Sequence, residues 1–247
     1  MLGVYGPDYF SHAKYRDRAT LRRENRRRVR LLQRHVRTPA ARVLEAGCGI
    51  GDFIAAAKHT CVISGFDLSG HAVDAARRAN PDISHRIDCC DFAQAELPRA
   101  AYDAICLWDV IEHLWDAEAA CRRLLDSLKP GGVLLLSTPD SGSWGARILG
   151  RYWPLMTPPE HASFFSAVSL VYLFEERLGA TVVFSAARGK WVNLRFAFRK
   201  LQRLAPGAGP SALLARGQRL MPETLSLYLP SHDIRYVVVR KNAGAGA

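Results

Sequence analysis

The amino-acid sequence predicts an α/β fold in which a mostly parallel β-sheet is closed by an antiparallel hairpin. From residue 42 onward, short apolar runs alternate with helical patterns, which is typical of β-α-β units. Two later apolar runs, at 181–187 and 234–240, predict the hairpin, with its tip expanded into a helical cap. The 247 residues, of which 49% are hydrophobic, are enough for one sizeable core. We therefore predict seven strands in one open sheet.

The predicted elements follow one another in a regular order along the chain. Five strands come first, at 42–45, 61–67, 85–88, 102–108 and 133–138. Helices are predicted between them at 52–58, 69–79 and 117–128, and after them at 166–178. Ser69 is a candidate N-cap because its hydroxyl can accept a backbone N–H at the helix start. Gly179 follows the last of these helices, where a left-handed conformation would end it.

Positive charge is concentrated in two segments. The formal net charge is +11, yet residues 14–37 hold eleven basic and two acidic side chains, and residues 188–221 hold eight basic and no acidic ones. The remainder is therefore net acidic, which argues against a protein coated uniformly with nucleic acid. We predict a basic helical extension at 1–38 and a main domain at 39–247, with a basic amphipathic insertion at about 188–232.

Several protein classes are disfavoured by composition. No apolar run reaches the roughly 18 to 20 residues that would span a bilayer, and residues 1–10 do not have the pattern of a secretory signal. The six cysteines include no CxxC pair. We therefore expect reduced thiols in a cytoplasmic protein, and neither a disulfide framework nor a zinc site.

A glycine-rich turn after the first strand is the strongest functional signal. Gly47, Gly49 and Gly51 stand between a predicted strand and a predicted helix, where glycines let the backbone approach a ligand closely. A dinucleotide fingerprint would require a glycine at the position of Asp52. Glu45, at the strand end, would repel a pyrophosphate but attract a cation. The turn therefore favours a positively charged nucleoside.

This motif resembles the first motif of class I S-adenosylmethionine (SAM)-dependent methyltransferases. SAM carries a sulfonium and an ammonium and no phosphate, so it suits an acidic strand end. Asp67 ends the second strand 20 residues beyond Gly47, where an acid typically binds ribose hydroxyls. Asp91-Phe92 resembles the family's adenine-binding pair, and segments 102–109 and 128–132 resemble its fourth strand and the turn before strand five. The resemblance covers about residues 40–140, and it implies a Rossmann-like sheet and SAM as cofactor.

The resemblance also implies which residues bind the cofactor, all near the carboxyl ends of predicted strands. They are Glu45, Gly47, Gly49, Gly51, Asp67, Leu68, Asp91, Phe92, Trp108 and Asp109. An alternative stays open for Trp108, because a strand-end aromatic residue can equally pack in the core. A Rossmann-like domain for another ligand, or a SAM-binding partner without activity, would need the same glycines and acids.

His161 is the candidate catalytic base. Methyl transfer is an in-line displacement at carbon, to which alignment of the nucleophile contributes more than a base does. A neutral imidazole, with an ordinary pKa of about 6.5, accepts a proton at neutral pH. Segment 158–166 resembles the P-x-H-x-x-x-F-S stretch of bacterial methyltransferases related to ubiquinone-type O-methyltransferases and to polysaccharide and natural-product methyltransferases. The alternative is that His161 braces the helix that follows.

The spacing of Asp109, Glu112 and His113 raises the question of a metal ion. It resembles the E-x-x-E-H segment through which some ubiquinone-pathway O-methyltransferases hold a divalent ion. In most relatives the Glu-His pair is local structure around the SAM site. Two acids and one histidine satisfy the octahedral oxygen preference of magnesium only in part. We therefore predict no metal ligand.

The acceptor is predicted from weaker patterns. Trp144, Tyr152 and Trp153 lie in the irregular segment where relatives build the acceptor site, which suggests an apolar or ring-shaped acceptor. The apolar residues from Trp191 to Leu204 are interleaved with basic ones. That pattern suits an anionic bilayer, an acidic lipid-linked acceptor or a cap helix packed on the domain.

The resemblance further implies that an N-terminal helix covers the SAM site, with Tyr5, Tyr9, Phe10 and Tyr15 as candidate contacts. The arginines of that helix are interpreted as a solvated face. Taken together, the sequence predicts SAM-dependent methylation, at oxygen, of a small or lipid-linked acceptor in the cytoplasm, with peripheral contact at the inner membrane surface. N-methylation, including of RNA, and a non-catalytic SAM-binding partner are the alternatives, although no nucleic-acid motif supports the former.

Overall fold

The computed structural model describes residues 18–193 and 226–243, which are centred on one seven-stranded sheet. The order across the sheet is β3-β2-β1-β4-β5-β7-β6. The first five strands pair in parallel, and β7 pairs antiparallel with both β5 and β6. The predicted sheet with an antiparallel closing hairpin is therefore confirmed. The strands are β1 (Arg42–Ala46), β2 (Val62–Asp67), β3 (Ile87–Cys89), β4 (Tyr102–Trp108), β5 (Leu128–Pro139), β6 (Thr181–Asn193) and β7 (Ser226–Arg240).

Helices connect the parallel strands and cover both faces of the sheet. They are α1 (Arg18–His35), α2 (Asp52–Ala57), α3 (Gly70–Ala79), α4 (Ala117–Ser127), α5 (Trp144–Leu149) and α6 (Ala167–Val171). The predicted N-cap is present, because the Ser69 hydroxyl accepts the Ala72 N–H at 3.4 Å. Gly179 has a φ of 62°, the left-handed conformation predicted for it. The predicted helix 166–178 is present, with an α-helical first half, Ala167–Val171, and a π-helical second half, Tyr172–Arg177.

Alternate residues of the central strands fill two apolar cores, one on each face of the sheet. On one face, Val43 of β1 and Leu135 of β5 pack with Leu32 of α1 and Phe53 of α2. On the other face, neighbouring residues of the same strands pack with α4 and α6; they include Leu44, Leu136, Leu124 and Leu170. The central strands are therefore buried on both sides, as is usual for parallel sheets. Their carboxyl ends remain as the edge at which a ligand can bind.

Strand β5 begins earlier than predicted. The turn predicted at 128–132 lies inside the strand, since Leu128 already pairs with Tyr102 of β4. Polar contacts from both neighbours hold this stretch: Lys129 donates to Asp103 at 2.7 Å, and the Lys241 N–H donates to the Gly132 carbonyl at 2.9 Å. The extended pairing therefore outweighs the turn preference of the glycines.

The closing hairpin is also longer than predicted. Residues 188–193 and 226–232, expected in the amphipathic insertion, continue β6 and β7 as a two-stranded ribbon. The cross-strand aromatic pair Trp191 and Tyr228, with ring centroids 5.4 Å apart, stabilises this ribbon. The remainder of the insertion, including the predicted helical cap, lies outside the described residues. No helix between residues 18 and 193 is long and apolar enough to cross a membrane.

Candidate functional site

The glycine-rich turn lies at the carboxyl end of β1 and has the backbone geometry that only glycine adopts easily. Gly47, Gly49 and Gly51 have φ values of 79°, 51° and 77°. A Cβ on Gly47 would lie 2.6 Å from Val110 Cγ2, and one on Gly51 would lie 2.9 Å from the Ala76 Cβ. The turn is therefore packed tightly against Val110 and Ala76. Its three glycines carry no side chains. That combination leaves room for a ligand against its backbone.

Asp67, at the end of β2, fixes the turn. Its Oδ2 accepts the Gly49 N–H at 2.8 Å, and its Oδ1 accepts the Ser69 N–H at 2.9 Å. Burial raises the pKa of this carboxyl, while the hydrogen bonds from Ser69 and Gly49 oppose that shift. Leu68 follows it and is half-buried. The structure thus places the predicted ribose-binding acid directly beside the glycine-rich turn.

Glu45 is a buried acid with an unsatisfied oxygen. Its side chain is only 3% exposed, and its Oε2 has no hydrogen-bond partner among the residues that the structure describes. Burial raises the pKa of Glu45 well above its ordinary value, the charge of Arg28 opposes this, and Asp67 and Asp52 add to it. A buried carboxyl oxygen without a hydrogen-bond partner destabilises the folded protein unless a polar or cationic group approaches it. It therefore fits the cationic end of a SAM molecule.

Arg28 also reaches this sheet edge, although no motif in the sequence indicated it. It projects from α1 toward the ends of β4 and β5, where its Nη2 lies 2.6 Å from Asp109 Oδ2. The Ser137 hydroxyl donates to the other oxygen of Asp109 at 2.8 Å. Burial lowers the pKa of Arg28, but its interactions with Asp109, Tyr236 and Glu24 together outweigh that effect and raise it. The site thus combines a fixed cation with several acids.

Trp108 lies beside this ion pair and inside the core. The ring is 5% exposed and packs edge-on against Phe53, with centroids 5.4 Å apart. The guanidinium carbon of Arg28 lies 5.3 Å from the ring centroid, a cation–π distance. The indole nitrogen is buried, and no partner for it occurs in the described part of the chain. Trp108 therefore lies in the core, with its ring forming the floor beneath Arg28.

Asp91 and Phe92 lie just after β3, as the resemblance implies for an adenine-binding pair. Asp91 Oδ1 accepts the Ala93 N–H at 2.8 Å, and the Phe92 ring packs edge-on against Phe66 with centroids 5.0 Å apart. The Arg123 guanidinium donates to the carbonyl of Phe92 and holds the loop in place. These residues therefore share the sheet edge with Asp67.

His161 belongs to a polar cluster with Glu112 and His113. The two imidazole rings meet edge to face with centroids 4.9 Å apart. The Nδ1 atoms of His161 and His113 lie 2.9 Å and 2.6 Å from the carbonyl oxygens of Leu155 and Glu160. Because a carbonyl only accepts, each Nδ1 carries a proton, and a neutral ring then has its lone pair on Nε2. In this tautomer the Nε2 of His161 is the atom able to accept a proton.

Glu112 is the buried member of this cluster. It is 2% exposed and accepts the Thr138 hydroxyl at 2.9 Å, while its backbone carbonyl accepts the N–H groups of Ala162 and Ser163. Glu112, His113 and His161 each offer one ligand atom within 4.8 Å of the others, so these three could hold a metal ion. Asp109, the first acid of the predicted D-x-x-E-H spacing, is instead bonded to Arg28 and Ser137.

The aromatic residues predicted for the acceptor site differ in how far they are exposed to solvent. Trp153 is 2% exposed and belongs to the interior, whereas Trp144 and Tyr152 are largely exposed. The predicted contacts Tyr5, Tyr9, Phe10 and Tyr15 lie outside the described residues, as do the amphipathic residues from Leu194 to Leu204.

Comparison with known proteins identifies the family. A family model described as a methyltransferase domain matches residues 13–183, which is more than half of the chain. The chain belongs to this methyltransferase domain family. The resemblance to class I SAM-dependent methyltransferases is thereby confirmed, and with it SAM as the cofactor.

Individual members of the methyltransferase domain family show how far the similarity extends. A probable SAM-dependent methyltransferase of Mycolicibacterium smegmatis is 36% identical over 136 residues, which is 54% of this chain and 49% of that protein. A ubiquinone biosynthesis O-methyltransferase of Xanthomonas campestris is 34% identical over 108 residues, or 42% and 45% of the two chains. The chain thus spans about half the length of the curated relatives it matches.

Solved structures support the fold. The structure of magnesium protoporphyrin IX methyltransferase from Synechocystis with bound SAH superposes with a TM-score of 0.58 at 17% identity, and the match covers 92% of this chain and 85% of that one. At this level of identity the likeness shows the Rossmann-like methyltransferase fold alone.

Proposed function

We propose that the protein transfers a methyl group from SAM to an oxygen atom of a small or lipid-linked acceptor. The observation that carries this proposal is the buried, unsatisfied carboxyl of Glu45 beside the glycine-rich turn. A cation is the partner that satisfies such a group most strongly, and SAM brings an ammonium and a sulfonium. When bound, SAM supplies the electrophilic methyl group.

Each residue at the sheet edge has a role in this proposal. Asp67 accepts the ribose hydroxyls while its present bonds keep Gly49 in place. Asp91 and Phe92 hold the adenine. Arg28 binds the methionine carboxylate, because it is a largely buried cation within an otherwise acidic site. This assignment gives the amino-acid end of the cofactor a partner of opposite sign at each of its two charges, Glu45 for the ammonium and Arg28 for the carboxylate.

His161 acts as the base in this proposal. Its Nδ1 is held by the Leu155 carbonyl, so that Nε2 can take the proton of the acceptor hydroxyl. His113, oriented in the same way by the Glu160 carbonyl, lies beside it and positions the acceptor. A base of this kind contributes about 10²- to 10⁴-fold to the rate, less than alignment does.

A divalent ion is a second candidate role for the same cluster, favoured by the spacing of Glu112, His113 and His161. The two roles differ in one measurement. If His161 is a base, activity survives exhaustive chelation, and the proposal of no metal ligand stands. If chelation abolishes activity and added metal restores it, the cluster is a metal site and His161 is a ligand.

The decisive experiment for the proposed function is titration with SAM, followed by an acceptor screen with a labelled methyl donor. The screen includes catechols, sugars, lipid-linked saccharides, amines and RNA, so that N-methylation is tested together with O-methylation. Absence of SAM binding at millimolar concentration would overturn the proposal. SAM binding without transfer to any acceptor would favour a non-catalytic partner protein. We place this activity in the cytoplasm, with peripheral contact at an anionic membrane.

A further inference from the structure

The outward face of α1 consists almost entirely of arginine. At about 100° per residue, the exposed positions of this helix fall within an arc of roughly 120°. All but Gln33 are arginines, namely Arg22, Arg23, Arg26, Arg30 and Arg34. Four of them repeat every fourth residue, which places neighbouring guanidinium groups about 6 Å apart along the axis. The row from Arg22 to Arg34 is thus about 18 Å long.

Among the residues that the structure describes, no carboxylate neutralises this row. Glu24 is the single acid of α1, and it is bonded to Arg27 and to the hydroxyl of Tyr236 instead. Within the described ranges, Arg22, Arg26, Arg30 and Arg34 form no ion pair with a carboxylate. Like charges four residues apart destabilise a helix. A row of four such charges therefore suits an anionic partner, which would remove the repulsion.

An exposed apolar edge borders the arginine row. The guanidinium carbon of Arg23 lies 4.3 Å from the Trp191 ring centroid, and the Arg27 side chain donates to the Gly189 carbonyl at 3.0 Å. These contacts join α1 to the end of the described β6–β7 ribbon, hereafter the hairpin tip. On that tip, Tyr228 pairs with Trp191 on the side of α1 and is 38% exposed, while Leu227 at 49% and Leu229 at 42% alternate with it and lie on the opposite face of the ribbon. The end of the ribbon beside α1 therefore carries aromatic rings next to the guanidinium groups on one face and two exposed leucines on the other.

We propose that the arginine row of α1, with the hairpin tip beside it, docks the protein on an anionic phospholipid bilayer. Arginines attract the negative surface of such a membrane, and apolar side chains at their edge enter the boundary between headgroups and acyl chains. The two leucines favour a bilayer over a nucleic acid, because phosphate backbones offer no apolar region to bury them. The six-residue helix α5 carries further exposed apolar residues but has no comparable row of charge.

This surface has a consequence for the acceptor. The side chain of Arg28 projects from the opposite side of the same helix and contacts Asp109 in the proposed cofactor site. Docking through the outward face of α1 would hold that site within one helix diameter, about 10 Å, of the headgroups. A lipid-linked acceptor then reaches the site without leaving the bilayer. This consequence rests on the proposed function, whereas membrane binding itself does not.

Co-sedimentation with vesicles tests the docking surface. We expect the full chain to bind vesicles of phosphatidylglycerol and phosphatidylcholine, and not phosphatidylcholine alone, with binding weakened strongly by salt. Each arginine near an anionic surface contributes about 5-fold to partitioning. The double variant R26Q/R30Q should therefore bind at least about 10-fold more weakly. Glutamine keeps the helix propensity close to that of arginine.

The matched control removes two exposed arginines elsewhere, R78Q/R99Q, and should leave vesicle binding unchanged. The variant L227S/L229S should lose the part of the binding that resists salt. Absence of binding to anionic vesicles, equal loss in both arginine variants, or displacement from vesicles by single-stranded RNA at matched phosphate concentration would overturn the proposal. SAM titration of each variant runs in parallel, so a failure of the cofactor site is recognised separately from a failure of docking.

Discussion

The guanidinium of Arg28 and the carboxylate of Asp109 lie 2.6 Å apart although 81 residues separate them along the chain. Asp109 reaches this position with a φ of 56°, a left-handed conformation that is uncommon outside glycine. Ser137 of β5 completes the contact by donating to the second carboxylate oxygen. One ion pair thus joins α1 to the ends of β4 and β5 at the centre of the proposed cofactor site.

Replacing Arg28 with alanine should weaken SAM binding by about 10- to 100-fold, because a charged hydrogen bond to the methionine carboxylate is lost. The loss should appear in titration calorimetry, and Arg28→Lys should recover part of it. Arg22→Ala, which removes an exposed arginine of the same helix, is the control and should bind SAM normally. Normal SAM affinity in Arg28→Ala would remove this residue from the site.

SAM binding should release protons near Glu45. Burial raises the pKa of this carboxyl, and an approaching cation would lower it again. Binding measured in buffers of different ionisation enthalpy should therefore show proton release, and SAM affinity should increase with pH. Glu45→Gln should abolish the release. Proton uptake, or no exchange in the native protein, would contradict this assignment.

The same raised pKa predicts how Glu45 affects stability. Above about pH 4.5, the folded protein holds a proton on this group that the unfolded chain has lost. The contribution of Glu45 to the free energy of unfolding is therefore greatest at low pH and declines as pH rises toward its folded-state pKa. Urea titrations across this range should show a weaker decline in Glu45→Gln, and an unchanged slope would argue against the raised pKa.

Gly47→Ala should abolish SAM binding, since the new methyl group would lie 2.6 Å from Val110 Cγ2 and the residue would keep a φ of 79°. Gly131→Ala is a matched control, because Gly131 has a φ of 75° with nothing within 4 Å of its Cβ position. The control should lose about 1 kcal/mol of stability from backbone strain and retain SAM affinity. Equal SAM affinity in both variants would show that the turn does not contact the cofactor.

His161→Ala should reduce turnover by about 10²- to 10⁴-fold without changing SAM affinity. His59→Ala, at an exposed position, is the control for the loss of an imidazole. Once an acceptor is known, single-turnover rates separate the methyl-transfer step from binding. A variant with unchanged turnover would assign His161 to bracing the local structure, the alternative that the sequence left open.

Arg235→Ala should destabilise the protein by about 3–5 kcal/mol, because it leaves the buried Asp140 carboxylate without its ion-pair partner. Asp140 is 1% exposed, and Arg235 donates to its Oδ2 through Nη2 at 2.5 Å and Nε at 3.0 Å. Lys58→Ala breaks the exposed pair with Asp82 and should cost much less, because solvent screens that pair. Thermal or urea unfolding measures the difference, and comparable losses in the two variants would contradict the argument from burial.

Much of the fold could be predicted from short sequence patterns, because helix caps, turns and strand periodicity depend on interactions between residues that are close along the chain. The Ser69 cap, the left-handed Gly179 and the order of the first five strands follow from nearby residues and periodicity. Arg28 could not be recognised in this way, since α1 contains eight arginines with the same chemistry and only tertiary packing turns one of them inward. A signal was present, however: Arg28 lies on the same side of the helix as Leu32 and Asn25, both of which are buried.

The length of β5 and the meeting of His113 with His161 were also beyond prediction from sequence. Both depend on contacts between segments that are far apart, such as the pairing of Leu128 with Tyr102 and the bonds from Ala162 and Ser163 to the Glu112 carbonyl. A turn preference at 128–132 is weak compared with hydrogen bonds along a central strand.

The position of β7 has a consequence for how the molecule is made. This strand is inserted between β5 and β6, although both are synthesised before it. Until β7 leaves the ribosome, β5 has an open edge whose N–H and C=O groups await a partner, and the Tyr236 hydroxyl that meets Glu24 of α1 does not yet exist. The sheet therefore closes only after β7 has been synthesised, and until that moment the open edge of β5 can pair with strands of other chains.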